Sequence, residues 1–346
     1  MAPIIQELKN SLWATPIVIA TAQHRGMLDQ MLEVFKIDVN YDLDLMKSDQ
    51  SSSELMGRMI PALEGIILKE RASSLLAQGD TTTVICSALA AFNQRISFGH
   101  VEAGLRTYNL AQPFPEEGYR QMISRISTWN FAPTALAGHN LEAEGIKKDT
   151  IFVTGNTCID ALLSVLPDGP SQHLAEPYIL LTTHRRENFG KPLRNICSAI
   201  LKILSDNPNV SVVCPVHPNP DVKLTLENSL AGHSRVRLIP PQDYLSFVAL
   251  MQNAALILTD SGGIQEEAPA LGKPVLVMRE TTERPEAIEA GVARLVGTET
   301  RDIVSAANLL LQDDQEYAKM SKGASPYGDG RAALRIVQLL ENTSFA

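Results

Sequence analysis

The stretch HVEAGLRTYNLAQPFPEEGYR, residues 100–120, sets three carboxylates (Glu102, Glu116, Glu117) and two arginines (Arg106, Arg120) around a Pro-rich turn. Grouped carboxylates can take a proton from a substrate and return it. A helix start accounts for part of the pattern. Pro115 at the first helical position, Glu116 and Glu117 in the first turn, and a Glu116–Arg120 pair at i,i+4 are ordinary opening features of a helix. Glu102 has no such excuse, because it ends an apolar run and precedes Ala103-Gly104. Asp80 follows Gly79 in AQGDTTT and precedes a helical pattern, so an Asp cap explains it as well as chemistry does.

A second group suits an anion. In LILTDSGGIQEEAPALGKPVLVM an apolar run ends at Thr259-Asp260, and Ser261-Gly262-Gly263 opens a helix. Bare glycines let a ligand approach the backbone, and the free N–H groups of a helix start bind negative charge. Ser261 adds a hydroxyl, and Glu267 lies just under two turns on, within reach of a ribose diol. A Ser cap with acidic residues near the helix start is the plainer reading, but it does not ask for two consecutive glycines. In LLTTHRRENFG, His184 precedes Arg185 and Arg186, a set that can hold a phosphate or share a proton with a leaving group; a solvated basic loop is the alternative. His217 in PVHPNP and Arg284 in TTERPEA are weaker signals of the same kind.

These residues need elements to carry them. Short β-branched runs alternate with longer helical patterns along all 346 residues: PIVIAT, RISFGHVE, TWNFAPT and TIFVTGN, then YILLTTH, VSVVCPVH, RVRLIP, LILTDS, PVLVMR and ARLVGT. The runs are continuously apolar, as expected of strands covered on both faces, so the prediction is α/β with parallel sheets. The Pro- and Gly-containing stretch 162–177 reads as a linker. Two Rossmann-like domains facing across a cleft are expected, one spanning 1–165 plus 331–346 and the other 166–330. Ligands of such sheets bind at the carboxyl ends of the strands.

Bulk properties exclude some functions. A net charge of −9 argues against a nucleic-acid partner. Four cysteines without CxxC spacing read as reduced thiols of a cytoplasmic protein, with neither a metal site nor a disulfide framework. No apolar run has the length of a membrane span, and no signal peptide is evident. GDGRAA near the end imitates a dinucleotide fingerprint but follows no strand, so NAD is rejected.

GDTTT, GHVEAGLRT, PFPEEGYR, VTGNTCIDAL, THRRENFG, PVHPNP, TDSGGIQEEAPALGKPVLVMRETTERPEA and SPYGDG together resemble the non-hydrolysing UDP-N-acetylglucosamine 2-epimerases of bacteria, in order from Met1 to about Gly330. The resemblance implies a GT-B-like fold, a homodimer, no cofactor and reversible conversion of UDP-N-acetylglucosamine to UDP-N-acetylmannosamine, feeding cell-surface polysaccharide synthesis. It implies elimination of UDP to 2-acetamidoglucal, followed by readdition. Asp80, Glu102, Glu116 and His184 match catalytic residues. Arg120, Phe247, Ser261, Gly262, Gly263 and Glu267 match substrate contacts, with Phe247 at the uracil. Gln23, His24, Arg185 and His217 match a site for a second, activating UDP-N-acetylglucosamine. Glu117 and Arg106 are then supporting or exposed. Gly26 departs from the family's usual Glu. The family's opening strand and Gly-Thr-Arg-Pro-Glu loop have no counterpart before MAPIIQELKN, so Met1 is expected to be internal to a longer protein. A hydrolysing 2-epimerase, a GT-B glycosyltransferase and an inactive UDP-sugar-binding module are the competing readings.

Overall fold

The computed structural model describes residues 1–21, 25–47, 49–166, 177–282, 284–323 and 325–344. The predicted linker lies mostly outside them. The chain divides into two compact units: Met1–Ala161 with Tyr327–Ala346, and Leu162–Pro326. All sheets in both are parallel.

In the first unit, β3 (Ser74–Gln78), β4 (Ser97–Val101), β5 (Trp129–Ala132) and β6 (Ile151–Val153) form one sheet in that order. A separate pair joins β1 (Ile19–Ala20) to β2 (Tyr41–Asp42). The predicted strand PIVIAT therefore shrinks to two residues. Pro16 has no N–H to give a ladder, and the amide of Val18 bonds the Asn40 side chain at 2.8 Å instead of a neighbouring strand. On one face, Val101, Trp129 and Phe131 pack with Ile4 and Leu8 of the first helix and with Ile336, Val337 and Leu340 of the last. The helix Ala2–Asn10 and the helix Ala332–Ser344 thus share one apolar core, although they open and close the chain. Asp160 caps the second of them, accepting from Ala333 N at 2.7 Å and Ala332 N at 3.2 Å. Those amides are spent, which leaves GDGRAA no anion-binding helix start.

In the second unit, β7 (Tyr178–Thr182), β8 (Ser211–Pro215), β9 (Val236–Ile239), β10 (Leu256–Thr259), β11 (Val275–Val277) and β12 (Ala293–Leu295) lie in the order 12-11-10-7-8-9. This is a doubly wound sheet that reverses direction between β7 and β10, where such folds place their ligands. Those two central strands are buried at every residue. Helix Lys191–Asp206 covers one face with Leu193, Ile196, Ile200 and Ile203.

Among the described residues no helix is long and apolar enough to cross a membrane. None of the four cysteines is in a disulfide.

Gly104 shows how tightly the end of β4 is seated. It sits at φ 90, and a β-carbon there would come within 2.1 Å of the Ala137 carbonyl oxygen. Gly104→Ala is therefore expected to destabilise the protein by more than about 1 kcal/mol, read as a lowered midpoint in urea denaturation.

Candidate active site

In the first unit the reactive side chains stand at the ends of β3 and β4. These strands are neighbours, with Gln78 opposite Val101, so Asp80 and Glu102 emerge from one sheet edge. Glu102 has φ 68, a left-handed conformation that costs a non-glycine residue roughly 1–2 kcal/mol. It accepts from Gln78 Nε2 at 3.2 Å, and Gln78 Oε1 accepts in turn from the Met1 amino group at 2.6 Å. The turn before Asp80 is held by His100, whose Nε2 lies 2.8 Å from the Gly79 carbonyl. That contact makes Nε2 the donor. Burial pushes the ring down to about 4, so His100 is neutral near pH 7 and serves as a fixed hydrogen-bond donor.

Asp80 does not cap a helix. Thr81 occupies the cap position of Thr82–Asn93, and its side chain makes no capping bond. Asp80 Oδ2 instead receives Arg120 Nε at 2.9 Å and Nη2 at 2.7 Å. The third nitrogen of Arg120, Nη1, bonds Glu117 Oε2 at 3.2 Å. The expected Glu116–Arg120 pair is therefore absent, because two better-placed carboxylates take the guanidinium. The helix begins at Glu116, with Pro115 just before it. Glu116 is half-buried, and its carboxylate has no partner among the described residues. Neither Glu117 nor Arg106, expected to be supporting or exposed, is exposed. Arg106 binds Glu144 through Nε at 2.7 Å and Nη2 at 2.9 Å.

In the second unit the organising group is Asp260, fully buried at the end of β10. It accepts from the Thr183 hydroxyl at 3.0 Å, from Asn188 Nδ2 at 3.0 Å and from the backbone N–H groups of His184 and Arg185, each at 3.0 Å. His184 Nδ1 approaches Asp260 Oδ1 at 2.9 Å. Burial by itself would raise this carboxyl; the bonds from His184 and Arg185 outweigh it and hold Asp260 below its ordinary value. An ionised Asp260 keeps the proton of His184 on Nδ1, and Nε2 is then the atom left to exchange a proton. The His184 ring stacks on His217, with centroids 5.9 Å apart. His217 Nδ1 accepts from the Asn219 amide at 3.2 Å. Arg185 is half-buried beside them.

Ser261 stands at the cap of Gly262–Ala270, yet its side chain makes no capping bond. The Ser cap anticipated as the plain alternative is not formed, and the hydroxyl remains available. Gly262 and Gly263 do not have positive φ. A β-carbon at Gly263 would meet nothing within 4 Å, so glycine here keeps the helix start bare and is not needed for a turn. Glu266 is buried and paired with Arg284. Glu267 is half-buried. Burial, and then the Glu266 charge, push its carboxyl up to about 7. Phe247 is half-buried in the helix Tyr244–Asn253 that follows β9. A cavity of about 250 Å³ lined by Arg279, Glu280, Gly297 and Glu299 contains none of these residues. Among the described residues no cluster of His, Cys, Asp or Glu could hold a metal. Gln23 and His24 lie outside the described residues.

Asp80 and Glu102 thus stand at the β3–β4 edge with Arg120 bonded to Asp80, His184, Arg185 and Ser261 stand at the β7–β10 edge with His217 stacked on His184, and Phe247 lies on the helix after β9. A profile of the UDP-N-acetylglucosamine 2-epimerase family matches residues 6–341. The chain belongs to this family. The UDP-N-acetylglucosamine 2-epimerase of Salmonella typhimurium is 49% identical, over 99% of this chain and 95% of its own. A crystal structure of the Neisseria meningitidis UDP-GlcNAc 2-epimerase, bound to UDP-GlcNAc, is 44% identical with a TM-score of 0.87, covering 99% of this chain and 96% of that one. A Listeria monocytogenes structure described as a putative UDP-N-acetylglucosamine 2-epimerase superposes at 0.93 with 40% identity, covering 100% and 93%. Membership makes the chain an isomerase with a GT-B-like fold. Two residues that the sequence reading gave no role hold these turns in place: Asp260 and His100. Only Asp260 left a signal, as a carboxylate between a strand and a Ser-Gly-Gly helix start.

If Asp260 sets the His184 tautomer, Asp260→Asn turns an amide N–H toward Nδ1 and moves the ring proton to Nε2. Nitrogen-15 NMR of the imidazole is expected to show Nδ1–H in the wild type and Nε2–H in the variant.

Proposed function

We propose that this chain interconverts UDP-N-acetylglucosamine and UDP-N-acetylmannosamine without net hydrolysis. The C2 hydrogen is not beside a carbonyl, so simple deprotonation is unfavourable. A base removes it while the C1–O bond breaks; the electron pair of that bond leaves on the diphosphate, and C1 and C2 become doubly bonded in 2-acetamidoglucal. Protonation of C2 from the opposite face, with the diphosphate oxygen returning to C1, gives the epimer. Asp80, Glu102 and Glu116 move the C2 proton, each contributing roughly 10²–10⁴-fold. The Ser261 hydroxyl and the amides of Gly262 and Gly263 hold the diphosphate, so that readdition outruns escape. When both ring nitrogens carry hydrogen, His184 gives its Nε2 proton to the departing diphosphate and recovers it on readdition. Glu267 receives the ribose diol, and Phe247 packs against the uracil. Arg120 acts by orienting Asp80, since all three of its nitrogens are engaged there and on Glu117.

The observation that carries this reading is the uncapped Ser261-Gly262-Gly263 helix start beside the Asp260–His184 pair, in a family whose Neisseria meningitidis member was crystallised with UDP-GlcNAc. A homodimer and a second, activating UDP-N-acetylglucosamine at Gln23, His24, Arg185 and His217 belong to the same proposal. Exposed Leu68, Phe92 and Met122 on the helices of the first unit favour the dimer.

Incubation with UDP-N-acetylglucosamine in D₂O tests the reading. The expected product is a UDP-sugar mixture carrying deuterium at C2, with Glu102→Gln slower by roughly 10²-fold or more. Free N-acetylmannosamine would mark a hydrolysing enzyme, and binding without exchange an inactive module.

Glu267 adds a pH test. With a folded value near 7 against about 4.3 unfolded, its extra proton favours the folded state at low pH, and that contribution is lost as pH rises through 7. A diol donates best to the ionised carboxylate. UDP binding at pH 6 is therefore expected to release a proton, seen by calorimetry in buffers of different ionisation enthalpy, and Glu267→Gln is expected to abolish the release.

A further inference from the structure

The first unit contains a buried carboxylate that the proposed chemistry does not use. Glu117 is fully buried in the first turn of its helix. Its Oε2 accepts from Thr107 N at 3.0 Å and Arg120 Nη1 at 3.2 Å. Its Oε1 accepts from Tyr108 N at 3.2 Å and Gln121 Nε2 at 3.0 Å. One side chain therefore joins three things: the loop that follows Gly104, the helix that begins at Glu116, and the guanidinium that grips Asp80.

The geometry of Arg120 gives this junction its consequence. A guanidinium is a rigid planar fork. With Nη1 held by Glu117, the opposite edge, Nε and Nη2, has one orientation, and both atoms of that edge meet Asp80 Oδ2 at 2.9 and 2.7 Å. Asp80 Oδ1 has no partner among the described residues, so the oxygen left for a substrate is aimed by the other one.

The loop arm works in parallel. Thr107 and Tyr108 are pinned through their amides, while Tyr108, Leu110 and Phe114 remain exposed. The Thr107 hydroxyl closes the loop on the Gln112 carbonyl at 2.7 Å. This closed loop leads directly to Glu116.

We propose that Glu117 is a positioning residue for epimerisation: through Arg120 it aims the carboxylate of Asp80, and through the Thr107 and Tyr108 amides it sets the approach to Glu116. The inference rests on the reading above, in which Asp80 and Glu116 handle the C2 proton. A merely structural role predicts otherwise. If the carboxylate only filled space and satisfied donors, a well-packed neutral side chain would serve without the cost of burying charge, and its loss would not depend on Arg120.

A double-mutant cycle separates the two. Deuterium exchange at C2 of UDP-N-acetylglucosamine is measured for the full chain, E117Q, R120M and E117Q/R120M, alongside UDP affinity by calorimetry and the thermal midpoint. E117Q is expected to lower kcat for exchange by about 10–10²-fold, the usual cost of misplacing a reactive group by about 1 Å, with KM and UDP affinity little changed. In the R120M background the same substitution is expected to change kcat less than in the wild type. Fully independent effects in the cycle, or a folded E117Q with wild-type kcat, overturn the proposal. Should E117Q fail to fold, E117D keeps the charge on a shorter arm and runs the same cycle, with the same outcomes deciding. A wild-type chain that binds UDP-N-acetylglucosamine without C2 exchange refutes the epimerase reading itself and this proposal with it, a result distinct from an active enzyme with independent effects.

Discussion

An ionised carboxylate taken out of water must be surrounded by donors, and in each unit one such group sets the shape of a strand-end loop. Asp260 gathers the amides of His184 and Arg185, the Thr183 hydroxyl and the Asn188 amide around itself. Glu117 gathers the amides of Thr107 and Tyr108 with the side chains of Arg120 and Gln121. Truncating a buried charged partner ordinarily costs about 3–5 kcal/mol, because its partners lose their bonds together. Exposed pairs such as Asp329–Arg335 carry at most about 1 kcal/mol. The buried anions thus dominate the local geometry, and the reactive residues follow from where they sit.

This divides the polar residues into those already committed and those left to act. Arg106, Arg120, Glu117 and Asp260 have bonded their nitrogens or oxygens within the protein. Glu116, the Ser261 hydroxyl and His184 Nε2 have no bond assigned to them among the described residues, and each sits beside a committed neighbour. Parallel sheets make the arrangement economical. Within each unit every strand delivers its carboxyl end to the same edge, so the short turns after β3, β4, β7 and β10 carry Asp80, Glu102, His184 and Ser261.

Much of this was legible in the residues. Continuous apolar runs identified nearly all the strands, and the Ser-Gly-Gly step after LILTD marked a helix start with bare amides. What could not be read depends on contacts distant in sequence. Asp260 meets Thr183 across 77 positions, and Arg120 reaches Asp80 across 40. Local spacing suggested Glu116 for Arg120 and caps for Asp80 and Ser261; tertiary partners overrode the first two, and the third simply does not form. Two strands are not among the apolar runs: Tyr41–Asp42, because a two-residue ladder leaves no periodic signal, and Ser74–Gln78, because SLLAQ has no β-branched residue.

The central claim is that one nucleotide sugar loses its C2 proton and its C1–O bond in the same event. The most direct measurement starts from UDP-N-acetylglucosamine labelled with oxygen-18 in the glycosidic bridge, incubated in D₂O and followed by NMR at carbon and phosphorus. The account predicts that the label scrambles into the non-bridging oxygens of the β-phosphate while deuterium appears at C2. Deuterium uptake with the bridging label left in place would contradict it.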